Sequence, residues 1–338
     1  MSASVGLARS SHGGTHAATC FPGVESLSLF SRAQTNCWRV GFMPTDRETA
    51  LAIVRTARSA RPLLRHCAVH PSLEIRAEHV LAPIAHSRDL AHAAVSAVLS
   101  TDEYQLVQIE APEVQPEELR NAVRWKLKDI INFPPSEAVV DVFEIPEQAR
   151  YVESRMIYAV AARADAVQRI VSLVKPRVRG FDCVDIPEMC LRNVAALLPQ
   201  DEHGVALIAL GDTFAQLTLT CQGVLYLARR IDLGRRAAGT EGEAAGDIDG
   251  ASLALELQRS LDYYESHFDR PAIADVVITS GDARAESLCA TLSASSGQSV
   301  SLFEVEELLD VVDDIEPDTR WPGLLALGAA LRSERIRP

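Results

Sequence analysis

The sequence predicts an α/β protein of two related lobes, with a small α/β layer inserted in the first. Three observations carry this. Two apolar runs flanking a polar turn, the signal of a β-hairpin, occur over Trp38–Val54 and again over Val205–Ile231. Between them, residues 113–184 run helix, two strands, helix, strand, the order of a small split α/β layer. At 338 residues the chain also exceeds one ordinary core and suits two lobes.

Taken in order, the first hairpin is followed by strand-like material at Leu64–Val69, a helical reading of Asp89–Leu99 and a strand at Tyr104–Ile109. After Ala111-Pro112 a helix begins, with Pro116 in its first turn and Glu117 and Glu118 at its positive end. Leu119, Ala122, Val123, Leu127, Ile130 and Ile131 recur at helical steps and form one apolar stripe, from which Trp125 points away. Phe133-Pro134-Pro135 closes this helix. Strands follow at Ala138–Ile145 and Arg155–Ala162, then a helix at Ala164–Val174 and a strand at Phe181–Val184. Asp185-Ile186-Pro187 opens a helix through Leu198, with Asp185 placed to cap it.

The second half repeats the first. Val205–Leu210, Phe214–Thr220 and Val224–Ile231 read as three strands joined by Gly211-Asp212 and Cys221-Gln222-Gly223. Gly234–Gly250 reads as a flexible segment, and Leu253, Leu257, Leu261, Tyr264 and Phe268 mark one face of the next helix. Ala274–Thr279 is a buried strand, leading through Ser280-Gly281-Asp282 to a helix near Glu286–Ser293. Gly323–Arg332 is a final, almost wholly apolar helix. The expected domains are a disordered extension over 1–36, first-lobe segments over 37–112 and 185–202, the inserted layer over 113–184, and the second lobe over 203–338.

A net charge of −13 argues against a protein that grips a phosphate backbone, so nucleic acid is not an expected partner. Seven scattered cysteines without a C-x-x-C spacing fit a reducing compartment and no structural zinc. No stretch approaches the roughly 20 apolar residues of a membrane-spanning helix. The first 27 residues lack the basic start and apolar core of a signal peptide, and His12 and His16 read as solvated rather than as metal ligands.

The segments Gln105-Leu-Val-Gln-Ile-Glu-Ala-Pro112, 117–145 and Asp185-Ile-Pro-Glu-Met-Cys-Leu-Arg-Asn193, set in duplicated hairpin lobes, resemble the actin-like type IV pilus assembly proteins of the PilM group. Within that group the likeness is nearest to the biogenesis proteins of the MSHA, or agglutinin, pilus, called MshI. The resemblance spans about 38–331. It implies an actin-like fold of ribonuclease H-like duplicated lobes. It also implies a cytoplasmic component that binds the tail of a bitopic, PilN-like inner-membrane protein and so joins a pilus assembly platform. The docking region in relatives is the first lobe with its small subdomain.

In that superfamily each lobe offers a hairpin of the form Asp-hydrophobic-Gly, whose amides cradle phosphate while the Asp organises Mg²⁺ and water. Here Met43-Pro44-Thr45 and Ala209-Leu210-Gly211 stand at those places, and Ser280-Gly281-Asp282 stands where relatives have three glycines. Both metal-organising carboxylates are missing, so phosphoryl transfer is not expected. Binding of ATP or ADP with Mg²⁺ remains open at Gly211, Asp212, Thr213 and Gly281; the other reading makes these plain turn residues. An actin-like ATPase acting as a nucleotide-dependent switch is therefore the alternative function. A kinase on the same superfold would need an aspartate base, and only Asp185 offers itself.

The candidate partner contacts are Trp125, Arg124 and Lys128, with Lys126 beside them. A large aromatic off the apolar stripe is costly to leave in water and is a common interface anchor. The other readings are that Trp125 packs against a strand of its own chain and that the basic residues form a solvated helix face. Self-association into a homo-oligomer is left open by the sequence.

Overall fold

The computed structural model describes residues 36–57, 60–72, 76–145, 155–233, 250–279, 281–312 and 315–333. The expected extension over 1–36, apart from Asn36, lies outside them, as do most of the Gly234–Gly250 segment and Ser280.

The first lobe opens as a meander of β1 (Asn36–Pro44), β2 (Glu48–Ala57) and β3 (Ala60–Pro71). After α1 (Ala77–His86), strand β4 (Ala94–Val98) pairs parallel with β1. The chain then builds β5 (Tyr104–Glu110), α2 (Pro116–Lys126), β6 (Ala138–Glu144), β7 (Met156–Arg163) and α3 (Ala164–Val174). It returns through β8 (Gly180–Asp185), parallel to β4, and α4 (Pro187–Ala195).

The second lobe repeats this with β9 (Val205–Leu210), β10 (Phe214–Cys221), β11 (Val224–Asp232), α5 (Gly250–His267), β12 (Asp275–Thr279), α6 (Ala285–Ser295) and β13 (Ser299–Phe303). It ends in α7 (Val305–Leu308), β14 (Asp310–Val311) and α8 (Trp321–Ala330). The large sheets run β14-β3-β2-β1-β4-β8 and β11-β10-β9-β12-β13, so the shared order is an antiparallel meander continued by two parallel strands. That is the duplication read from the two hairpins.

Four expectations are corrected. Asp89–Leu99 is a turn and a strand, because Val95, Ala97, Val98 and Leu99 are fully buried in a central position where both faces are covered. The small sheet is β5-β7-β6, while β8 lies in the large sheet, so neither edge of that sheet falls at 113 or 184. The segment 203–338 is not one lobe, since β14 pairs with β3 and α8 packs on β1, β2 and α4 of the first lobe. Asp185 does not cap α4, whose N-cap is Ile186 with no side-chain bond. Its carboxylate accepts from the Ile186 amide and, on its other oxygen, from Arg332; both charged side chains are buried.

Every residue of α4 is buried, as is all but the start of α8. The two helices touch through small residues. A Cβ on Gly328 would stand 2.2 Å from the Cys190 carbonyl oxygen, and one on Gly41 of β1 would stand 1.7 Å from that of Ala326. Both obstacles are backbone and cannot swing away. Gly41→Ala is therefore expected to lower stability by about 1–3 kcal/mol or more through overpacking, measured as a fall in urea midpoint at constant slope.

The small sheet is covered on both faces. One face, with Tyr104, Phe143, Tyr158 and Val160, joins a core shared with both lobes. The other carries Ile109, Val140, Ile157, Ala159 and Ala161 against Val123, Leu127 and Ile131 of the α2 segment. The expected stripe is thus right at those three positions and wrong at Ile130, which is 47% exposed. The reason is local: α2 stops at Lys126 and tightens into a 3₁₀ turn over Leu127–Asp129, rotating Ile130 outward.

Candidate functional site

The α2 face of the small sheet and the cleft between the lobes are the two places to weigh. In the α2 segment, Trp125 is 76% exposed, so it does not pack on a strand of its own chain. Among the described residues only Val114, Trp125, Ile130, Leu255 and Val312 are large exposed apolar side chains, and three of the five sit in or beside α2. Clustering of this kind, more than any one exposed residue, marks an interaction face.

Basic groups border it. Lys126 donates to the Glu110 carbonyl at 2.9 Å and lies 3.8 Å from its carboxylate. Lys128 is exposed, with no ion pair among the described residues. Arg124 is half-buried and its Nε has no hydrogen-bond partner among them. Three sequence-predicted contacts, Trp125, Arg124 and Lys128, thus share one short segment, though only Trp125 and Lys128 are fully presented to solvent.

This face is fastened at its first turns by Arg120, whose Nε donates to Asp141 Oδ1 at 2.9 Å. Val142 N–H donates to the same oxygen. Asp141 is fully buried on β6 and its Oδ2 has no partner among the described residues. Burial pushes its carboxyl up to about 6, against the opposing pull of Arg120. The folded chain therefore takes up a proton at Asp141 between pH about 6 and about 4 while the unfolded chain does not. Ionisation of this group is a cost present above pH about 6 and relieved as pH falls. Relative to Asp141→Asn, the wild type should gain on the order of 2 kcal/mol between neutral pH and pH about 4, read from urea melts across pH. A constant difference would contradict this.

The cleft has a different character. Its volume is about 280 Å³, and its walls come from the β1–β2 turn, the segment after β4, α3, the β9–β10 turn and the start of α8. Asp46, Glu48, Asp102, Glu103 and Asp212 line it, against Arg47 and Arg169. Arg169 is already paired with Glu103. A site for polyphosphate would be expected to carry the opposite balance.

Several backbone amides of the hairpin turns, those of Thr45, Arg47 and Glu48 in the first and of Gly211 in the second, are also occupied. In the first turn, Thr45 N–H donates to the Glu48 carbonyl, and the Thr45 hydroxyl oxygen accepts from Arg47 and Glu48 N–H. In the second, Gly211 N–H donates to the Phe214 carbonyl at 2.9 Å, and a Cβ on Gly211 would strike the Phe214 ring at 2.5 Å. The glycine is thus accounted for by the turn. The Thr213 carbonyl accepts from Leu233 N–H. Gly281 lies flat on the backbone of Thr319 and Arg320, where a Cβ would come within 2.3 Å of the Thr319 oxygen.

Arg284 was not singled out by the sequence, yet it holds the β9–β10 turn that contributes Asp212 to the cleft. Its Nε and Nη2 bind both oxygens of Asp282, and its Nη2 and Nη1 reach the carbonyls of Gly211 and Asp212 at 2.7 and 3.3 Å. Asp282 thus serves a clamp between α6 and the β9–β10 turn. Beside it Phe214 packs edge-on against Trp321 at 4.9 Å, with Arg230 over its ring. Glu188 was also missed; it is buried and accepts from the Tyr104 hydroxyl at 2.6 Å, tying β5 to α4. Asp185, the only base a kinase reading could name, is buried and held by Arg332, and is not among the residues that line the cleft. Among the described residues no group of three potential ligands could hold a metal ion.

Two lobes with the same meander-then-parallel sheet, an interlobe helix and an inserted three-stranded layer define an actin-like fold. No protein-family model and no curated protein matches the sequence. Among solved structures, the chain is similar to one from a PilM–PilN type IV pilus biogenesis complex, at 20% identity over 87% of this chain and 97% of that one, with a TM-score of 0.62. Lower scores of 0.45 and 0.44 go to two others. One is the cytoplasmic domain of EpsL, an inner-membrane component of the type II secretion system of Vibrio cholerae, at 13% identity over 88% and 97% of the chains. The other is a Bacteroides thetaiotaomicron protein with an actin-like ATPase fold, at 8% identity over 84% and 96%. No described helix is long and apolar enough to cross a membrane.

Proposed function

We propose that this chain is a non-catalytic assembly component of a type IV pilus platform, of the MSHA-like branch. In this reading it is cytoplasmic and is held at the inner membrane by docking the tail of a bitopic PilN-like protein on the α2 face. The observation that carries the reading is the exposure of Trp125, with exposed Ile130 and Lys128 just after it in the chain, on a fold shared with a chain of a PilM–PilN complex. A tail peptide with an apolar anchor would bury the indole, and that is where most interface energy concentrates.

The acidic cleft, with the Gly211 amide and three of the first turn's amides already in use, supports a scaffold rather than an ATPase. We expect no phosphate release above background when the chain is incubated with ATP and Mg²⁺, and no binding of a labelled ATP analogue. Turnover that Asp212→Asn abolishes would instead favour the nucleotide switch. The docking part is tested by titrating a labelled N-terminal peptide of a PilN-like protein; failure to bind at high concentration would count against it.

A further inference from the structure

We propose that the chain carries a second docking surface, at the end of the large sheet opposite the cleft, which takes an acidic peptide segment bearing one aliphatic side chain. The cleft lies beyond the C-terminal ends of the parallel strands, where Ser100–Glu103 follow β4. At their N-terminal ends, where Ala94 pairs with Gly180, a groove of about 220 Å³ opens between α1, the turn before β4 and the loop from α3 to β8. Its floor is apolar, from Ile84, Leu90, Pro176 and Val178, and Arg177 and Arg179 stand at its lip.

The groove is preformed. Gly180 lets the α3–β8 loop lie against the turn, since a Cβ there would fall 2.4 Å from the Ala93 carbonyl oxygen. Arg177 Nη1 donates to the Leu173 carbonyl at 2.7 Å, fixing the loop on the end of α3. Arg179 of the lip, with Lys175 and Arg88 beside the groove in the chain, is exposed, and none of the three has an ion pair among the described residues; the one acid next to them, Asp89, lies 3.9 Å from Arg65. A concentrated positive field on a chain of net charge −13 selects an acidic partner.

The shape chooses between acidic partners. A lipid surface is engaged by large apolar side chains that protrude among the cations, and here the large ones are recessed: Ile84 and Leu90 are buried and Val178 is half-buried, while of the apolar lining only Pro176 is exposed. The volume is also below the roughly 300–1,000 Å³ of small-molecule sites. A concave apolar floor with a basic lip suits one aliphatic side chain flanked by carboxylates.

The test uses the full chain and a fluorescein-labelled peptide of sequence Asp-Glu-Leu-Glu-Asp, read by anisotropy. Wild type and Trp125→Ala should bind it equally, since Trp125 lies on the other surface. The double variant Lys175→Glu/Arg179→Glu, or Arg88→Glu alone should the double variant fail to fold, should weaken binding by about tenfold or more. A peptide with serine in place of leucine should bind less well. Equal binding by the charge-reversed chain, or no binding by wild type, overturns the proposal. Sedimentation of wild type with phosphatidylserine vesicles but not with phosphatidylcholine, without peptide binding, would also overturn it and give the patch to a membrane. The charge-reversed chain should still bind a PilN-like tail peptide, which keeps this outcome separate from that of the α2 face.

Discussion

Replacing Arg332 with alanine is expected to cost about 3–5 kcal/mol of folding free energy, the scale for stranding one member of a buried ion pair. Arg332 has no solvent exposure and Asp185 has 2%. Arg332 follows the end of α8, a place where the helix favours a cation. Removing it strands the Asp185 carboxylate, buried between β8 and α4, with the Ile186 amide as its remaining hydrogen-bond donor among the described residues. The loss should appear in urea melts as a lower midpoint. Replacing both residues, as Asp185→Leu/Arg332→Met, should restore much of it, because apolar groups of similar volume remove the desolvation problem altogether. A single variant within about 1 kcal/mol of wild type would show that the pair is not the fastener between α8 and the first lobe.

Replacing Trp125 with alanine should weaken binding of a PilN-like tail by at least about 2 kcal/mol, some 30-fold. Stability should change by less than about 0.5 kcal/mol, because the side chain is three-quarters exposed and supports nothing beneath it. The separation of the two effects matters. A loss of binding that came with a loss of stability would point to damage in the small sheet rather than to a missing contact. Lys128, at the rim, should act mainly on association rate and salt dependence.

The hairpins were legible in the sequence because their apolar runs are bounded by turn chemistry, Thr45-Asp46 in one lobe and Gly211-Asp212 in the other. The α2 stripe was legible as far as Leu127, where a regular period holds. Periodicity lost Ile130 because the 3₁₀ turn changes the rotation per residue. Composition misled at Asp89–Leu99: an alanine-rich run looks helical in isolation, and only its place between β1 and β8 makes it a strand.

Long-range pairing was out of reach of local pattern. Nothing near Asp310 announces that two residues will pair with β3, and nothing near Asp185 announces Arg332. The site was legible in part for the same reason. The missing acids at the hairpins could be read one residue at a time, and Trp125 stood out from its stripe. The lining of the cleft is assembled from five separate segments, its carboxylates from three of them, and the Arg284 clamp spans two, so neither leaves a local signature.

Docking on the α2 face, rather than nucleotide in the cleft, separates this assembly component from a nucleotide switch. It is tested most directly by measuring, in one series, the affinity of a labelled PilN-like tail peptide for wild type, Trp125→Ala and Asp212→Asn, each with and without ATP and Mg²⁺. Trp125→Ala should lose at least about 30-fold, Asp212→Asn should bind as wild type does, and nucleotide should change neither. Binding that survives loss of Trp125 but responds to nucleotide or to Asp212→Asn would contradict docking on the α2 face.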